Sequence, residues 1–506
     1  MFKPSIYQQA VFSFITNDNG SSIIEAVAGS GKTTTIVQAL NLIPKNKSVV
    51  FLAFNKSIAT ELQERVPRGV QCSTLNSLGH QAWYRHAGKV RVNGSKTRDV
   101  IRSEQFESEY ERRDINRLAS SVIRMVSIAK AVGLVPSSVK DANSLVPDSR
   151  EVWDSLIDHY DIQFGDGKTP NQDTDDDKDT AIRMARTVLD ISCKMGSVEI
   201  DFDDQLYLTV IFRAPVPKFD FVFVDEAQDV SDIQRALLAA AMKPEGRLIA
   251  VGDPHQAIYG FRGADSNSIE NIARLFNAVR LPLSISYRCP KAVIREAQRY
   301  VSHIESHESA IEGEVRTLGE YKSEMFKPDD LVICRNMSPI VRLAYRLISA
   351  KVPARIIGRD MAAGLISLIN KLNPTSIEHL ISRLVEWKER EIYRLRTKDE
   401  DADISKIEDK YDVIHCFLDC SGARTVPELI QAIEHLFGDR KTGVILSTIH
   451  RAKGLEADNV FILDSWLMPS KYAKRDWQKQ QETNIAYVAI TRAKVMLSYI
   501  SSPRKV

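Results

Sequence analysis

Two sets of short apolar β-type segments alternate with helical patterns, and each set is interrupted by a long stretch of helical texture. These observations predict an α/β protein with two parallel sheets flanked by helices, each carrying a mainly helical insertion. The first set runs through 21–27, 48–53, 219–224 and 247–251, with helical patterns opening after Gly31, Asn55 and Ser231. The second places strands near 279–283, 330–334, 443–448, 459–463 and 495–499, with helices near 289–303, 338–349 and 480–492. The division that follows gives 1–84 and 201–278 to one α/β domain and 85–200 to its helical insertion. It gives 279–360 and 441–506 to a second α/β domain and 361–440 to a shorter helical insertion. Length alone suggests about three or four domains.

Composition narrows the function classes. The 506 residues are 43% hydrophobic, enough for several packed cores. The longest apolar runs, such as "LIAVG" from Leu248 and "FVFVDEA" from Phe221, fall far short of the roughly 20 residues a membrane span needs. The first residues, "MFKPSIYQQAVFSF", interrupt with glutamines where a signal peptide needs an apolar core, so a cytoplasmic protein is expected. Cys72, Cys193, Cys289, Cys334, Cys416 and Cys420 are too scattered for a disulfide framework, and the close pair Cys416/Cys420 lacks a second ligand pair for zinc. They read as structural thiols. With 68 basic and 66 acidic residues the net charge is +2, so nucleic-acid binding has to come from a local groove. The acidic run "NQDTDDDKD" (171–179) lacks the glycine a calcium loop needs at its sixth position and reads as a solvated loop. The mixed charges of "EWKEREIYRLRTKDEDADISKIEDKY" suit an exposed helical surface.

Chemistry concentrates first at "AVAGSGKTTT" (26–35), which fits G-x-x-x-x-G-K-[ST] except for Ala26 in the first place. A predicted strand precedes it and a helical pattern opens at Lys32, the setting in which backbone N–H groups surround phosphates at a helix N-terminus. In that geometry Lys32 meets the outer phosphates and the Thr33 hydroxyl is placed for Mg²⁺. Alone, the stretch also fits a tight structural turn. "FVFVDEAQD" adds Asp225 and Glu226 just past a buried strand, one carboxylate for Mg²⁺ and the other to orient or deprotonate a water. A helix N-terminal charge pair is the alternative for these two acids. Phosphoryl transfer also calls for arginine, worth about 10³–10⁵ in rate. Arg288 in "SISYRCP" and Arg492 in "AYVAITRAK", placed late in a predicted helix, are the candidates.

Eight stretches in order carry a resemblance to the superfamily-one helicases of the UvrD/Rep type: "AGSGKTT" (28–34), "FNKSIATEL" (54–62), "DFDD" (201–204), "DEAQD" (225–229), "GDPHQAIYGFRGA" (252–264), "YRCP" (287–290), "STIHRAKGLE" (447–456) and "YVAITRAK" (487–494). In that family the loop reads A-x-A-G-x-G-K-T, so Ala26 is its usual occupant. The resemblance implies two RecA-like motor domains with ATP and Mg²⁺ as cofactors. ATP would be held by Ala28, Gly29, Ser30, Gly31, Lys32, Thr33 and Thr34, with Mg²⁺ on Thr33 and Asp225. It also implies that Gln8, with Gln9 one place away as the alternative match, reads the adenine edge and that Tyr287 stacks on the base. Gln256 would sense the terminal phosphate, Arg288 and Arg492 would contact it, and Glu456 would lie near the ribose.

The same resemblance implies single-stranded DNA and single-strand/duplex junctions as the substrate, with 3′→5′ movement. Tyr259 and Phe261 match aromatic stacking positions, Phe261 standing where Trp is usual and having core packing as its alternative; Asn55, Lys56, Thr74, Asn76, Arg262 and His450 are the polar candidates. The chain departs from its relatives at Thr34, where many carry arginine, at Asn76, where histidine is usual, at Phe54, displaced by one place, and in the shortness of 361–440. The expected function is an ATP-driven DNA helicase or translocase serving repair, recombination, replication or defence. The alternative is an ATP-regulated DNA sensor that activates a separate nuclease or repair partner, and a switch without movement is the weakest reading.

Overall fold

The computed structural model describes residues 3–160, 162, 164, 175–258, 267–398, 404–438 and 442–503. Two units emerge, Met1–Ala26 with Gly31–Leu283 and Val27–Ser30 with Ser284–Val506. The first opens with α1 (Ile6–Asn17) and alternates β1 (Ser22–Ala26), α2 (Lys32–Leu40), β2 (Val49–Ala53), α3 (Lys56–Arg65), β3 (Val70–Thr74) and α4 (Leu75–Ala87). A mainly helical stretch follows, with a short strand β4 (Arg91–Val92), then α5 (Lys96–Ile101), α6 (Glu104–Glu109), α7 (Arg112–Val132), α8 (Arg150–His159) and α9 (Asp175–Lys194). It closes with β5 (Glu199–Ile200), paired to β4, and α10 (Asp204–Ile211). β6 (Phe219–Val224), α11 (Asp232–Ala240), β7 (Met242–Gly252), α12 (Ser268–Phe276) and β8 (Val279–Leu283) complete the unit.

The first sheet has the order β3-β2-β6-β7-β1-β8 and every pairing is parallel. Alternate residues of its strands feed two cores, as the two-residue period of a strand requires. Val50, Leu52, Val222, Val224, Leu248 and Ala250 face one core, shared with α4, α7, α9 and α10. Val49, Phe51, Phe221, Phe223, Ile249 and Val251 face the other, shared with α1, α2 and α3. The helical stretch therefore packs on the sheet's own core.

The second unit contains β9 (Ile285–Ser286), α13 (Lys291–Ala297), β10 (Glu305–Ser306), β11 (Glu314–Glu320), β12 (Leu331–Cys334), α14 (Met337–Ser349) and β13 (Ala354–Ile356). Four helices follow: α15 (Arg359–Leu372), α16 (Ile377–Lys398), α17 (Ser405–Ser421) and α18 (Val426–Leu436). β14 (Val444–Thr448), α19 (Ile449–Ala452), β15 (Ala457–Leu463), α20 (Asp476–Ile490) and β16 (Ala493–Ser501) end it. Its sheet, β11-β16-β15-β12-β14-β13, is again parallel at every described pairing. Val332, Cys334, Leu446 and Leu463 share a core with α14, α15, α17 and α18.

The α/β fold with helix-flanked parallel sheets is the one the sequence predicts, and four details correct it. The segment 279–283 does not join the second sheet: β8 pairs with β1 at the edge of the first. The run 171–179 is not wholly a loop, because α9 begins at Asp175. Acids favour a helix N-terminus, and Asp177 is buried against Arg117 of α7; residues 171–174 lie outside the described residues. The helix expected over 289–303 stops at Ala297. Arg492 lies beyond the end of α20, next to β16, and not within the helix. Among the described residues no helix is long and apolar enough to cross a membrane. All six cysteines are free thiols, with Cys416 Sγ 3.9 Å from Cys420 Sγ.

Candidate active site

Between the end of β1 at Ala26 and the start of α2 at Lys32, the chain turns through Gly29 (φ 71°) and Gly31 (φ 74°). Both are left-handed, a conformation that side chains with a Cβ adopt at a cost. Gly31 is the N-cap of α2, so Lys32, Thr33 and Thr34 form its first turn, where orphan N–H groups and the positive dipole end lie. Lys32 Nζ sits 3.4 Å from Glu226 Oε1. Burial alone would lower the Lys32 ammonium, yet Glu226, Asp225 and Asp253 outweigh it and raise its pKa.

The carboxylates come from the ends of adjacent strands. Asp225 follows β6 and donates its N–H to Leu52 O at 3.0 Å. Glu226 takes a left-handed φ of 52°, and its N–H donates to Asp225 Oδ1 at 2.9 Å. A non-glycine residue held there is the kind of local strain found at functional sites. Buried Gln228 ties this turn to the end of β7: its Nε2 donates to Glu226 Oε2, and its Oε1 accepts from Asp253 N–H at 3.0 Å. A Cβ on Gly252 would stand 2.5 Å from that Oε1, so glycine lets the amide reach across. Asp253 Oδ2 accepts from Gln256 Nε2 at 2.6 Å and Oδ1 from His255 N–H at 3.0 Å. Burial raises the Asp253 pKa against the opposing pull of Lys32 and Gln256.

Gln8 lies on α1, where it first serves the helix itself. Ser5 Oγ accepts from Gln8 N–H at 3.2 Å and Gln8 Oε1 accepts from Ser5 N–H at 3.0 Å, a capping box. Its Nε2 donates to Thr35 Oγ1 at 2.9 Å, and Thr35 donates to Gly31 O at 3.0 Å. Gln9 instead is exposed and donates to Pro4 O. Gln8 is thus the glutamine joined to the loop and α2.

In the second unit Tyr287 follows β9 with its side chain 42% exposed, its ring tilted 36° to that of His307 at a centroid distance of 4.8 Å. Arg288 Nε lies 2.7 Å from Glu456 Oε2, and Lys494 Nζ approaches the same carboxylate at 3.7 Å. Arg492 is 2% exposed, and its guanidinium donates to Val488 O at 2.9 Å and Leu455 O at 3.2 Å. The loop residues Ala28 and Gly29 group with this unit: Ala28 N–H donates to Tyr487 Oη at 2.9 Å, and Gly29 O accepts from Tyr287 N–H at 2.8 Å.

The polar DNA candidates of the first unit sit at the end of β3 and just beyond β2 and β3. Asn55 caps α3 by accepting from Ile58 N–H, and Thr74 caps α4 by accepting from Ser77 N–H, so both residue types have a structural use. Lys56 begins α3 and is exposed. Asn76 Nδ2 donates to Phe202 O at 2.8 Å and Gln205 Oε1 at 3.1 Å. This fixes the backbone of Phe202, whose side chain is 60% exposed. The flanking acids of "DFDD" explain why it stays in place. Asp201 and Asp204 are buried against Lys130 at 2.7 and 2.8 Å, and Asp204 also against Lys96 at 2.6 Å. Burial would raise the Asp204 carboxyl, yet Lys130 and Lys96 hold it below the usual carboxylate range. His450 lies in α19 of the second unit. Tyr259, Phe261 and Arg262 lie outside the described residues.

Comparison with known proteins bears on this geometry. Residues 8–277 match the UvrD/REP helicase N-terminal domain, and 366–504 match the UvrD-like helicase C-terminal domain. The chain belongs to the UvrD/Rep helicase family. Similar proteins include F-box DNA helicase 1 of chicken, 26% identical over 94% of this chain and 46% of its own length. F-box DNA helicase protein 1 of Schizosaccharomyces pombe is 24% identical over 94% of this chain and 55% of its own. ATP-dependent DNA helicase PcrA of Leuconostoc citreum is 24% identical over 57% of this chain and 38% of its own. The chain thus spans about half the length of the two F-box relatives.

Within this UvrD/Rep-type chain the residues present fit a magnesium nucleotide. One ammonium, Lys32, faces three carboxylates, Asp225, Glu226 and Asp253, an arrangement whose surplus negative charge suits a divalent cation. Ser30 Oγ is buried on the loop with no hydrogen-bond partner, a donor suited to an oxyanion. Among the described residues no group of three or more His, Cys, Asp or Glu forms a cage. Mg²⁺ instead commonly takes one or two protein ligands beside phosphate and water, which Thr33 and Asp225 would supply. The sequence reading missed Gln228, Asp253, Thr35 and Phe202. The first three are buried polar residues that each have one partner far along the chain, Gln228 with Asp253 and Thr35 with Gln8. Phe202 was legible as an aromatic in a quoted motif, while its exposure was not.

Proposed function

We propose that this chain is an ATP-driven motor that moves 3′→5′ along single-stranded DNA and separates duplex at junctions. The observation that carries the reading is the cluster at Lys32, where a helix N-terminus, an ammonium and acids from two neighbouring strand ends meet. The relatives' names, DNA helicases all, support DNA as the track.

In this reading the N–H groups of Gly29, Ser30 and Gly31 and the Lys32 ammonium bind the phosphates, and Thr33 and Asp225 would hold Mg²⁺. Held there, Mg²⁺ would supply positive charge to the phosphate oxygens. Glu226, braced by Gln228, orients the attacking water and accepts its proton. Gln256, tied to Asp253, reports the state of the terminal phosphate to the end of β7. Gln8 and Tyr287 would recognise the base, Glu456 would lie near the ribose, and Arg288 and Arg492 would contact the terminal phosphate. On the DNA side, Phe202 joins Asn55, Lys56, Thr74, Asn76 and His450, with Tyr259, Phe261 and Arg262, as strand contacts. Stacking is worth about 1–3 kcal/mol per base.

ATP hydrolysis measured with no nucleic acid, single-stranded DNA, single-stranded RNA and duplex tests the motor and its track; stimulation by single-stranded DNA is expected. Duplexes with only a 3′ or only a 5′ tail test polarity, and opening of the 5′-tailed substrate alone would overturn it. Activity that appears only with a separate nuclease present would favour a DNA-sensing subunit.

A further inference from the structure

Arg247, in the middle of β7, is buried and makes an unusual set of contacts for an arginine in a sheet. Its Nε donates to Gly20 O at 2.8 Å, Nη1 to Ile15 O at 2.8 Å and Nη2 to Phe14 O at 3.1 Å. The guanidinium carbon also lies 5.3 Å from the ring centroid of Phe14 and 5.2 Å from that of Phe221. One side chain therefore joins two carbonyls of the last turn of α1, Ile15 O and Phe14 O, the latter also accepting from Asp18 N–H, to Gly20 O beyond the helix, at the end where the helix dipole is negative. Two aromatic faces hold the cation. The rigid fork of arginine is what lets three acceptors be met at once, which an ammonium on a flexible stem does not reproduce.

The other end of the same helix meets the nucleotide loop. Gln8 donates to Thr35 Oγ1, and Thr35 donates to Gly31 O, the N-cap of α2. α1 is thus fixed at both ends, by Arg247 from the sheet and by Gln8 against the first helix after the loop. We propose that Arg247 is a positioning residue for nucleobase selection: it sets the placement of α1 and, through it, the orientation of the Gln8 amide. This rests on the reading that Gln8 faces the base. A glutamine amide offers a donor and an acceptor side by side, the pattern that pairs with adenine and not with guanine, so a helix displaced along its axis loses selectivity before it loses turnover.

The test compares wild type, Arg247→Met, Arg247→Lys, Gln8→Ala and the double variant Gln8→Ala/Arg247→Met, with KM and kcat for ATP and for GTP. Arg247→Met is expected to raise the ATP KM about tenfold with kcat within about twofold, as a misplaced contact does. It should also narrow the ATP-over-GTP preference toward that of Gln8→Ala, with little further loss in the double variant. Arg247→Lys, which keeps the charge and loses the fork, is expected to fall between wild type and Arg247→Met and serves if Arg247→Met does not fold. Wild-type KM and wild-type ATP/GTP ratio in both Arg247 variants, even with a lowered Tm, would overturn the proposal. Amide hydrogen exchange across α1 gives an answer without activity: selective loss of protection in the Arg247 variants supports the hold on the helix, and unchanged protection overturns it. A wild-type enzyme that hydrolyses ATP and GTP equally would instead count against the role of Gln8.

Discussion

The two units use the same parallel-sheet plan to opposite electrostatic ends. In the first, strand ends gather Asp225, Glu226 and Asp253 around Lys32, leaving carboxylates in excess. In the second, each arginine beside a strand end has partners of its own: Arg288 takes Glu456, Arg335 takes Glu482 in a two-pronged pair, and Arg492 takes backbone carbonyls. The first unit concentrates carboxylates around a single ammonium, and the second matches its cations one by one. A shared fold therefore does not dictate a shared role; the charges placed at its strand ends do.

That contrast can be broken from either side. Lys32→Ala removes the ammonium and leaves three acids unopposed; ATP hydrolysis, read as phosphate release, should fall by about 10²-fold or more, the scale seen when a preorganised charge is lost. Within the first unit, Lys130→Met leaves Asp201 in the core without its ammonium and Asp204 with Lys96 alone. About 3–5 kcal/mol of stability should be lost in urea unfolding, because a buried pair broken on one side leaves an uncompensated charge. Phe202→Ala deletes an exposed ring without touching that cluster, and single-stranded DNA affinity should weaken by about 1–3 kcal/mol; unchanged affinity by fluorescence anisotropy would remove Phe202 from the track.

The smallest effect is expected at Asp409 in the second unit. Burial pushes its carboxyl up to about 6, although Met337 and Ser338 N–H groups donate to it and Arg335 lies near; Asp412 adds to the rise. Because the folded pKa stands above the unfolded value of about 3.9, the native state binds the proton more tightly. Stability from this group should rise as pH falls from about 6 to about 4, and the charge is a cost at neutral pH. Asp409→Asn should flatten that part of the Tm-against-pH curve relative to wild type; parallel curves would show that Asp409 does not titrate there.

The central strands were legible because they are buried on both faces and read as apolar runs, as in "FVFV" of β6 and "LIAVG" of β7. In the two six-stranded sheets the strands not legible as such are the edges, β3, β11 and β13, with the edge strand β8 expected in the second sheet; the two-residue strands β4, β5, β9 and β10 are too short to carry an apolar run. Edge strands bury less, and β11, "EVRTLGE", is almost wholly exposed, so the apolar signal fades where a sheet stops. Asp175–Asp179 misled for a related reason, since a run of acids carries no sign that Arg117 waits to pair with one of them.

The glycine turn before α2 and the acids after β6 were legible from local order alone, because strand, turn and helix N-terminus follow one another within a few residues. The sequence also supplied the family, through eight motifs in order, and the helix-flanked parallel sheets that go with it. Only the tertiary structure decided that Gln228 joins Glu226 to Asp253, that Lys96 and Lys130 neutralise "DFDD", and that Arg247 holds the helix bearing Gln8. Those links join residues far apart in the chain. A buried polar group must find a partner wherever the fold brings one, and sequence spacing does not record where that is.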